Sequence, residues 1–235
     1  MKLSIIIPAY NEEKRIKKTL EVYYNFFNKN LNKDFEIIVV PNNCTDNTLE
    51  ICYNFARGKK SIKVLNIPFY IGKGGAVMRG FEQASGKLIG FTDADSSTSP
   101  EEFFKLYKNI NNYDGIIASR KMKNSLISPR RRLSQNISSF VFNKFVNIFF
   151  GLYYKDTQCG AKIFTRDTAI FLVENYTQNH WGFDVDLLYL CKNNNFKILE
   201  FPIKWTDSTD SKLTLKASLK TVIDLIKYRF NFYLS

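Results

Sequence analysis

The stretch LIGFTDADSSTSPEEFF, residues 88 to 104, places two aspartates one residue apart at the end of an apolar run. Leu88 to Thr92 is predicted to be a strand. Because side chains in a strand alternate between faces, Asp93 and Asp95 are expected to point the same way. Neighbouring carboxylates repel each other unless water solvates them or a positive charge lies between them. The pair is therefore a candidate cation site.

The residues that follow predict the start of a helix at the same place. Ser99 suits the N-cap position, Pro100 suits the first helical position, and Glu102 completes a capping box with Ser99. The two aspartates would then lie between the carboxyl end of a strand and the N-terminus of a helix. Open α/β sheets bind their ligands at that edge, so the pair is expected to face a ligand.

The spacing around the aspartates favours one kind of metal site over another. A calcium loop starting at Asp93 would need glycine at its sixth position and glutamate at its twelfth, where Thr98 and Phe104 stand. Mg²⁺ or Mn²⁺ held by one or two carboxylates, with substrate phosphates completing the shell, fits the pattern better. A solvated loop end without a ligand is the alternative interpretation.

Apolar runs and helical spacing alternate along the first half of the chain. Strands are predicted at Lys2 to Ile7, from Phe35, from Ile62, at Lys87 to Thr92 and from Asp114. Helices are predicted between them. Strands that alternate with helices at this spacing predict the α/β fold class, with a mostly parallel sheet and helices on both faces.

The second half of the chain carries an aromatic-rich segment and further strands. A helix is predicted for residues 134–152, and two strands, AKIFTR and FKILEFPIKW, flank a helix at about residues 183–193. A basic amphipathic helix is predicted for about residues 215–233. Because no linker or low-complexity tract interrupts the sequence, we expect one domain, residues 1–235.

Composition narrows the class of protein. Four cysteines without C-x-x-C spacing and a single histidine, His180, lack the ligands of a zinc site and fit a reducing cytosol. The N-terminal apolar run is expected to be too short for a signal peptide, and no run of about 18 apolar residues predicts a membrane span. The net charge of +12 predicts attraction to nucleic acid, an anionic membrane or phosphorylated small molecules.

The stretch YIGKGGAVMRG, residues 70 to 80, is a glycine-rich turn that enters a helix. Backbone N–H groups and the helix dipole at such a turn can receive phosphate oxygens. The turn lacks the GK[ST] of a P-loop, and the dinucleotide pattern G-x-G-x-x-G fails at Val77. A nicotinamide-dependent dehydrogenase is therefore a distant alternative. A basic nucleic-acid-binding protein is another, although it leaves this turn and the aspartate pair unexplained.

Two further segments are predicted to reach the same edge of the sheet. PAYNEE, residues 8 to 13, ends the first strand, where Tyr10 could stack on a base and Glu12 could hydrogen-bond to a ribose or base. The basic segment from Arg120 to Arg132 follows the fifth strand. Arginine forks recognise phosphate through two parallel hydrogen bonds. The cluster is therefore a candidate phosphate site, although any single residue could belong to a solvated loop.

Taken together, these motifs resemble the inverting family-two glycosyltransferases of the GT-A fold. Within that family they are most similar to the dolichyl-phosphate glucosyltransferases and dolichyl-phosphate mannose synthases. Six segments appear in the family's order across nearly the whole chain: SIIIPAYNEE, GKGGAVMRG, FTDADSSTSP, DTQCGAKIFTR, WGFDVDLLYL and PIKWTDSTDSKL. The segments DTQCG and FDVDLL favour the glucosyltransferase branch.

The resemblance implies a metal-dependent transfer of a hexose from a nucleotide sugar, UDP-glucose first and GDP-mannose second, to a polyprenyl or dolichyl phosphate. It implies a nucleotide-sugar half, residues 1–119, an acceptor half, residues 120–235, and Mg²⁺ or Mn²⁺ bound by Asp93 and Asp95. The implied donor-binding residues are Pro8, Tyr10, Glu12, Asn42, Lys73, Asp93, Ala94, Asp95 and Lys212. The implied catalytic residues are Asp95, Asp184 and Arg120, and the acceptor phosphate would bind Arg120 and Arg131.

One departure from the family concerns the base of the donor. Members usually carry an acidic pair after the second strand, in a VDDGSTD type of sequence, whereas Pro41 and Asn42 stand at those positions here. An amide thus replaces a carboxylate that would read a base N–H. The identity of the donor nucleotide therefore stays open.

The chemistry of the acceptor decides whether a general base is needed. A phosphate monoester has a second pKa near about 6, so it is largely a dianion at neutral pH and already a nucleophile. A glycan hydroxyl, the alternative acceptor, would need a base, for which Asp184 is the candidate.

A polyprenyl acceptor also predicts where the protein works. We expect a peripheral protein on the cytoplasmic face of a membrane, with the aromatic-rich helix and the basic C-terminal helix on an anionic surface. Such a protein could also have a separate membrane-anchoring partner. A nucleic-acid partner is not expected.

Overall fold

The computed structural model describes residues 1–128, 133–176 and 182–206, and for residues 133–141 it describes the helical backbone without the side chains. The strands are β1 (Leu3–Ala9), β2 (Phe35–Pro41), β3 (Ile62–Val64), β4 (Leu88–Thr92), β5 (Gly115–Ser119), β6 (Leu126–Ser128), β7 (Ala161–Thr165), β8 (Ile198–Pro202) and β9 (Lys204–Thr206). The helices are α1 (Ile16–Leu31), α2 (Thr48–Ala56), α3 (Gly72–Glu82), α4 (Pro100–Asn109), α5 (Leu133–Phe150), α6 (Arg166–Asn175) and α7 (Phe183–Asn193).

Some predictions concern residues outside this description. They are the roles of Arg131 and Lys212 and the C-terminal helix at residues 215–233. Within the described ranges, no helix combines the length and the apolar character needed to cross a membrane.

The main sheet has seven strands in the order β3-β2-β1-β4-β7-β5-β8. Neighbouring strands run parallel except at β7, which is antiparallel to both β4 and β5. The prediction of a mostly parallel sheet is confirmed. The reversal of β7 has no signal in the sequence, because periodicity shows which faces are buried and not the direction of a strand.

Helices cover both faces of this sheet, as predicted. Every residue of β1 and β2 is buried, because successive side chains alternate between two covered faces. On one face Ile5 and Ile7 pack in a cluster with residues of α1 and α4. On the other face Ile6 packs in a cluster with residues of α3, α6 and α7. The sheet is thus rigidly held, and its edges can position side chains accurately.

The helix after the aspartates starts where the sequence predicts. The Ser99 hydroxyl accepts a hydrogen bond from the Glu102 N–H at 3.4 Å, and α4 begins at Pro100. The second half of the predicted capping box is wrong. The Glu102 carboxylate accepts from the Lys105 ammonium at 2.6 Å and from the backbone N–H of Lys204 at 3.0 Å, because β9 brings that donor within reach.

The segment FKILEFPIKW, predicted as a single strand, forms two. β8 pairs with β5 as far as Pro202, and β9 pairs with β6 in a separate two-stranded sheet. Pro202 has no N–H, which weakens a continuing ladder at that point. β9 reaches the loop after the aspartates, where the Thr206 N–H donates to the Ser97 carbonyl at 3.0 Å and Trp205 pairs with Thr98. The second half of the chain thereby contacts the aspartate loop.

The close approach of α3 to β1 yields a prediction about stability. A Cβ on Gly80 would lie 2.5 Å from Cγ2 and 2.7 Å from Cγ1 of Ile6, so the helix must move if the glycine gains a side chain. We expect Gly80→Ala to lower the free energy of unfolding by about 1–3 kcal/mol, despite the better helix propensity of alanine. Urea unfolding measures this change, with the exposed Arg79→Ala as a control that should stay within about 0.5 kcal/mol. An unchanged or raised urea midpoint for Gly80→Ala would show that the contact is not tight.

Candidate active site

The predicted donor side chains come together at the carboxyl edge of β1, β2 and β4. Tyr10 follows β1, Asn42 follows β2, Asp93 follows β4, and Lys73 lies in the first turn of α3. Parallel strands end at the same edge of a sheet, and the N-terminus of α3 opens there. The roles assigned to these residues stay predictions, but their common location follows from the fold.

A salt bridge between Lys73 and Asp93 lies at the centre of this edge. Burial raises the pKa of Asp93, and the nearby carboxylates of Asp95 and Asp184 raise it further, while the Lys73 ammonium lowers it; the net direction is upward. Burial lowers the pKa of Lys73, but the three carboxylates outweigh it and the net direction is again upward. Lys73 is therefore the positive charge that makes the aspartate cluster tolerable.

Gly160, in the loop before β7, lies directly against the Asp93 side chain. A Cβ on Gly160 would overlap the Asp93 carboxylate, so any larger residue there would displace that carboxylate from its position. Apart from its position in DTQCG, one of the segments that carry the family resemblance, Gly160 has no distinguishing signal in the sequence. The structure thus shows that the loop between α5 and β7 forms the floor of the aspartate site.

A second salt bridge, between Lys162 and Asp184, is buried beside the first. The Lys162 side chain is fully buried in β7, and its ammonium also donates to the Cys159 carbonyl at 2.9 Å. Asp184 lies in the first turn of α7 and is only 6% exposed. Lys162 was missed because a lysine inside an apolar strand is usually read as solvent-facing. The carboxylate predicted as a candidate base is thus bound to an ammonium group.

Asp186, two residues further on in α7, is fully buried. Burial raises its pKa well above the ordinary value, and the Asp184 carboxylate adds to that shift. Side chains two residues apart diverge on a helix, so only one of these two aspartates can face the site. Asp184 is the one that meets Lys162.

Arg120, predicted to bind the acceptor phosphate, is engaged by Asp156. Its Nε and Nη2 donate to the two carboxylate oxygens at 2.7 and 2.9 Å, and its backbone N–H donates to Oδ2 at 3.0 Å. Its guanidinium carbon lies 5.0 Å from the centre of the Trp205 ring. Burial raises the pKa of Asp156, but the Arg120 guanidinium outweighs it and holds the pKa well below the usual range. The bidentate salt bridge between Arg120 and Asp156 therefore links the end of β5 to the loop after α5.

The PAYNEE segment forms a loop that is tied to the segment after β2. Asn11, at a positive φ of 53°, accepts the Thr45 N–H at 2.8 Å, and Asp46 accepts the Glu13 N–H at 3.1 Å. The Glu12 carboxylate receives two hydrogen bonds from Arg15, at 2.7 and 2.8 Å. Asn11 and Glu12 lie in the loop before α1, which begins at Ile16.

Most of the remaining predicted donor-binding residues are buried at the carboxyl edge of the sheet. Pro8 is buried in β1, and Ala94 is buried with its carbonyl accepting the Thr19 hydroxyl at 2.7 Å. Asn42 is also buried, and its amide contacts the glycine-rich turn. Tyr10 is 45% exposed. A ligand at this edge would meet Tyr10 as a side chain and Pro8 and Ala94 chiefly through their backbone.

The carboxylates fit a metal that is bound jointly with a substrate. In the described part of the chain, no group of three or more histidine, cysteine, aspartate or glutamate side chains is placed to hold a metal ion. Mg²⁺ needs only one or two carboxylates when substrate phosphates and water complete its shell. Asp93 and Asp95 supply hard oxygen ligands of that kind, and the Lys73 ammonium lies at Asp93 as a cation would.

The Arg120–Asp156 pair predicts a pH-dependent contribution to stability. Removing one partner of a buried ion pair leaves an uncompensated charge, so Asp156→Asn should lower the free energy of unfolding by about 3–5 kcal/mol. Because the pKa of Asp156 is lowered in the folded state, the contribution of the wild-type pair is complete above about pH 4. That contribution is lost as the pH falls through the lowered folded pKa.

Urea unfolding at pH 7 and at acidic pH measures this effect. The loss caused by Asp156→Asn should be largest at pH 7 and smaller in acid. Asp34→Asn is the control, because Asp34 pairs with Lys2 at an exposed site and should lose much less stability. Equal, small losses for the two variants would contradict the assignment of the Arg120 pair as a buried structural link.

Comparison with known proteins agrees with this arrangement. Residues 4–175 match the model of glycosyl transferase family 2. A dolichyl-phosphate beta-glucosyltransferase of Trichomonas vaginalis is 33% identical over 97% of this chain and 71% of its own length. The corresponding proteins of Dictyostelium discoideum and Drosophila melanogaster are 33% and 35% identical, over 99% and 91% of this chain and 75% and 70% of their own lengths.

Solved structures show the same fold at much lower sequence identity. Glucosyl-3-phosphoglycerate synthase of Mycobacterium tuberculosis, crystallised with Mn²⁺, UDP and phosphoglyceric acid, has a TM-score of 0.72 at 16% identity and covers 96% of this chain and 78% of its own. A mannosyltransferase of Pyrobaculum calidifontis with GDP-Man and Mn²⁺ has a TM-score of 0.64 at 16% identity, over 90% and 58% of the two chains. The expected α/β fold is thereby confirmed as the GT-A type. The chain belongs to glycosyl transferase family 2 and is a glycosyltransferase.

Proposed function

We propose that the chain transfers a hexosyl residue from a nucleotide sugar to a polyprenyl phosphate: glucosyl from UDP-glucose as the first choice, and mannosyl from GDP-mannose as the second. The names of the relatives, dolichyl-phosphate beta-glucosyltransferases that match nearly the whole chain, support this acceptor. The observation that carries the proposal is the buried salt bridge between Lys162 and Asp184. In this salt bridge the Asp184 carboxylate, the candidate general base for a hydroxyl acceptor, is already paired with the Lys162 ammonium.

A phosphate acceptor removes the need for that base. The phosphate monoester has a second pKa near about 6 and attacks as a dianion. Its oxygen forms a bond to the anomeric carbon of the sugar from the face opposite the leaving group. The bond from that carbon to the diphosphate breaks, and the nucleoside diphosphate leaves with the electron pair. Asp184 can therefore orient the sugar while it stays paired with Lys162.

The donor diphosphate would bind over Lys73 and the N-terminus of α3. A divalent ion on Asp93 and Asp95 would stabilise the charge that builds up on the leaving diphosphate. Lys73 already faces these carboxylates, so its ammonium is placed to pair with phosphate oxygens when the donor arrives. Gly160 has no side chain and so leaves room for the Asp93 carboxylate at the site.

The acceptor phosphate would approach from the side of β5 and the basic segment. Arg120 orders this side through Asp156 and Trp205, and Arg131 follows in the same segment. We assign Arg120 chiefly to holding β5 and the loop after α5 together, and Arg131 to direct binding of the acceptor phosphate. Positive charge there offsets the repulsion between two phosphate groups that must come together.

A polyprenyl acceptor places the reaction at a membrane, and we propose a peripheral position on its cytoplasmic face. In the part of α5 whose side chains are described, Val146 and Phe150 pack into the core. Ile148 and Tyr153 are 75% and 90% exposed. These two residues are therefore the candidates for contact with lipid in this region, together with a basic surface that attracts anionic headgroups.

Transfer of radiolabelled sugar from UDP-glucose, GDP-mannose and other nucleotide sugars to polyprenyl phosphate in detergent tests the proposal. With Mg²⁺ or Mn²⁺, the wild type should label the lipid from UDP-glucose most efficiently. Asp95→Ala should lower that rate by about 100-fold or more, because a carboxylate of the metal site is lost. Asp34→Ala, an exposed aspartate paired with Lys2, is the control and should keep full activity.

The outcome that contradicts the proposal is absence of lipid product with every donor. Labelling of a glycan hydroxyl in the same assay would then establish the alternative acceptor. Retention of activity in Asp95→Ala would contradict the metal role of the aspartate pair without contradicting the acceptor.

The pH profile of kcat tests the role of Asp184 separately. If the acceptor phosphate is the nucleophile, the rate should rise through about pH 6 in the wild type, and the same rise should persist in Asp184→Asn. If Asp184 is instead a general base, Asp184→Asn should lose about 10²–10⁴ in kcat together with the dependence on pH. Persistence of the rise at reduced amplitude supports an orienting role.

A further inference from the structure

A short loop beside the donor edge is fixed at both of its ends by the segment after β2. At its start, the Ile67 N–H donates to the Pro41 carbonyl at 2.9 Å, and the Ile67 carbonyl accepts the Asn43 N–H at 2.8 Å. At its end, the Asn42 amide oxygen accepts the Ile71 N–H at 3.0 Å, and its nitrogen donates to the Gly72 carbonyl at 3.3 Å. The three residues between, 68 to 70, are thereby held in place.

This loop presents two large aromatic side chains to solvent. Phe69 and Tyr70 are 59% and 58% exposed. The Tyr70 ring meets the Tyr10 ring edge to face, with centroids 5.9 Å apart and an interplanar angle of 76°. Tyr10 is itself 45% exposed, so both rings keep open surface. Exposed aromatic groups on a fixed loop beside a ligand edge indicate a contact surface.

The position of the loop identifies the part of the ligand that it would meet. Tyr70 lies three residues before Lys73, which faces the aspartates from the first turn of α3. A diphosphate bound at Lys73 would extend its nucleoside toward the ends of β1 and β2, where Tyr10 and Asn42 lie. Flat aromatic rings at that end suit a nucleobase.

We infer that Tyr70 adds a second ring to Tyr10 in an aromatic platform for the donor nucleobase: the base stacks on the Tyr70 ring, and the Tyr10 ring, at 76° to it, meets the edge of the base. Asn42 is the positioning residue that holds the Tyr70 loop in place. This inference rests on the proposed function, because it requires a nucleotide donor. The Asn42 side-chain oxygen accepts a hydrogen bond from the Ile71 N–H, and its nitrogen donates to the Gly72 carbonyl. Because both polar atoms are engaged within the protein, the amide does not take the place of a carboxylate that would accept a base N–H.

The platform predicts how the donor is selected. Stacking tolerates different bases, because every base has a π face, whereas a charged hydrogen bond to a base N–H does not. With Pro41 and Asn42 unable to supply that hydrogen bond, UDP and GDP should bind with dissociation constants within about 10-fold of each other. Preference for glucose over mannose would then come from the sugar site.

Isothermal titration of UDP, GDP and inorganic diphosphate with Mn²⁺ tests the platform. Tyr70→Ala should weaken UDP and GDP by about 5- to 100-fold, because one stacking partner of the base is lost. It should leave diphosphate binding unchanged, since diphosphate has no base. Tyr70→Phe keeps the ring and should bind like the wild type. Tyr53→Ala removes a similarly exposed tyrosine on α2 and should also bind like the wild type.

The positioning role of Asn42 is tested by a double-mutant cycle. Asn42→Ala should also weaken UDP but not diphosphate, and Asn42→Ala combined with Tyr70→Ala should be little worse than either alone. A purely structural role for Asn42 would weaken diphosphate as well. Because Tyr70 lies at the surface, its variant remains informative even if Asn42→Ala does not fold.

Two different results would overturn the inference in distinguishable ways. If the wild type binds UDP but Tyr70→Ala binds it equally well, the platform is wrong and the proposed function stands. If the wild type binds diphosphate no more weakly than any nucleotide, the base makes no contact and the platform is again wrong. If the wild type binds neither nucleotides nor diphosphate, the proposed function itself fails.

Discussion

The site depends on the compensation of charge at the carboxyl edge of β4. Three aspartates gather there, Asp93, Asp95 and Asp184, and buried carboxylates are tolerable only when cations pair with them. Lys73 from α3 and Lys162 from β7 supply those cations, and the ammonium groups of both lie over the Phe91 ring, at 5.8 and 5.4 Å from its centre. The two lysines therefore separate a pair of partly exposed carboxylates, Asp93 and Asp95, from Asp184, which is held within the protein. The proposed donor and its metal would bind at the exposed pair and release Lys73 from Asp93, while Lys162 stays buried.

The second half of the chain completes the site by returning to the edge built by the first half. β7 runs back between β4 and β5 and carries Lys162, and the loop before it supports Asp93 through Gly160. The same loop is ordered by Glu200, whose carboxylate accepts the backbone N–H groups of Lys155 and Asp156 at 3.0 and 2.8 Å. The edge that we propose for the donor and the side that we propose for the acceptor are thus joined by one set of backbone contacts.

Local signals in the sequence predicted much of the fold and part of the site. The alternation of strands and helices, the Ser99 cap of α4 and the common edge at which Tyr10, Lys73 and Asp93 lie are confirmed. Each depends on residues adjacent along the chain or on the one edge that parallel strands share. The interpretation of Arg120 as a free phosphate fork did not anticipate Asp156, which lies 36 residues away along the chain. An ion pair of that separation has no local pattern, so composition and spacing could not predict it.

The sequence by itself determined the family, the α/β architecture and the place of the aspartate pair, because hydrophobic periodicity, capping residues and ordered motifs are encoded within short windows. Only the tertiary structure decided the direction of β7, the need for glycine at residue 160, the burial of Lys162 on Asp184, and the use of Asn42 to hold the loop that carries Tyr70. Each of these depends on which segments distant along the chain become neighbours in space. Burial then determines which polar groups pair with each other. An unpaired charge or hydrogen-bonding group inside the protein costs a large part of the small net free energy of folding.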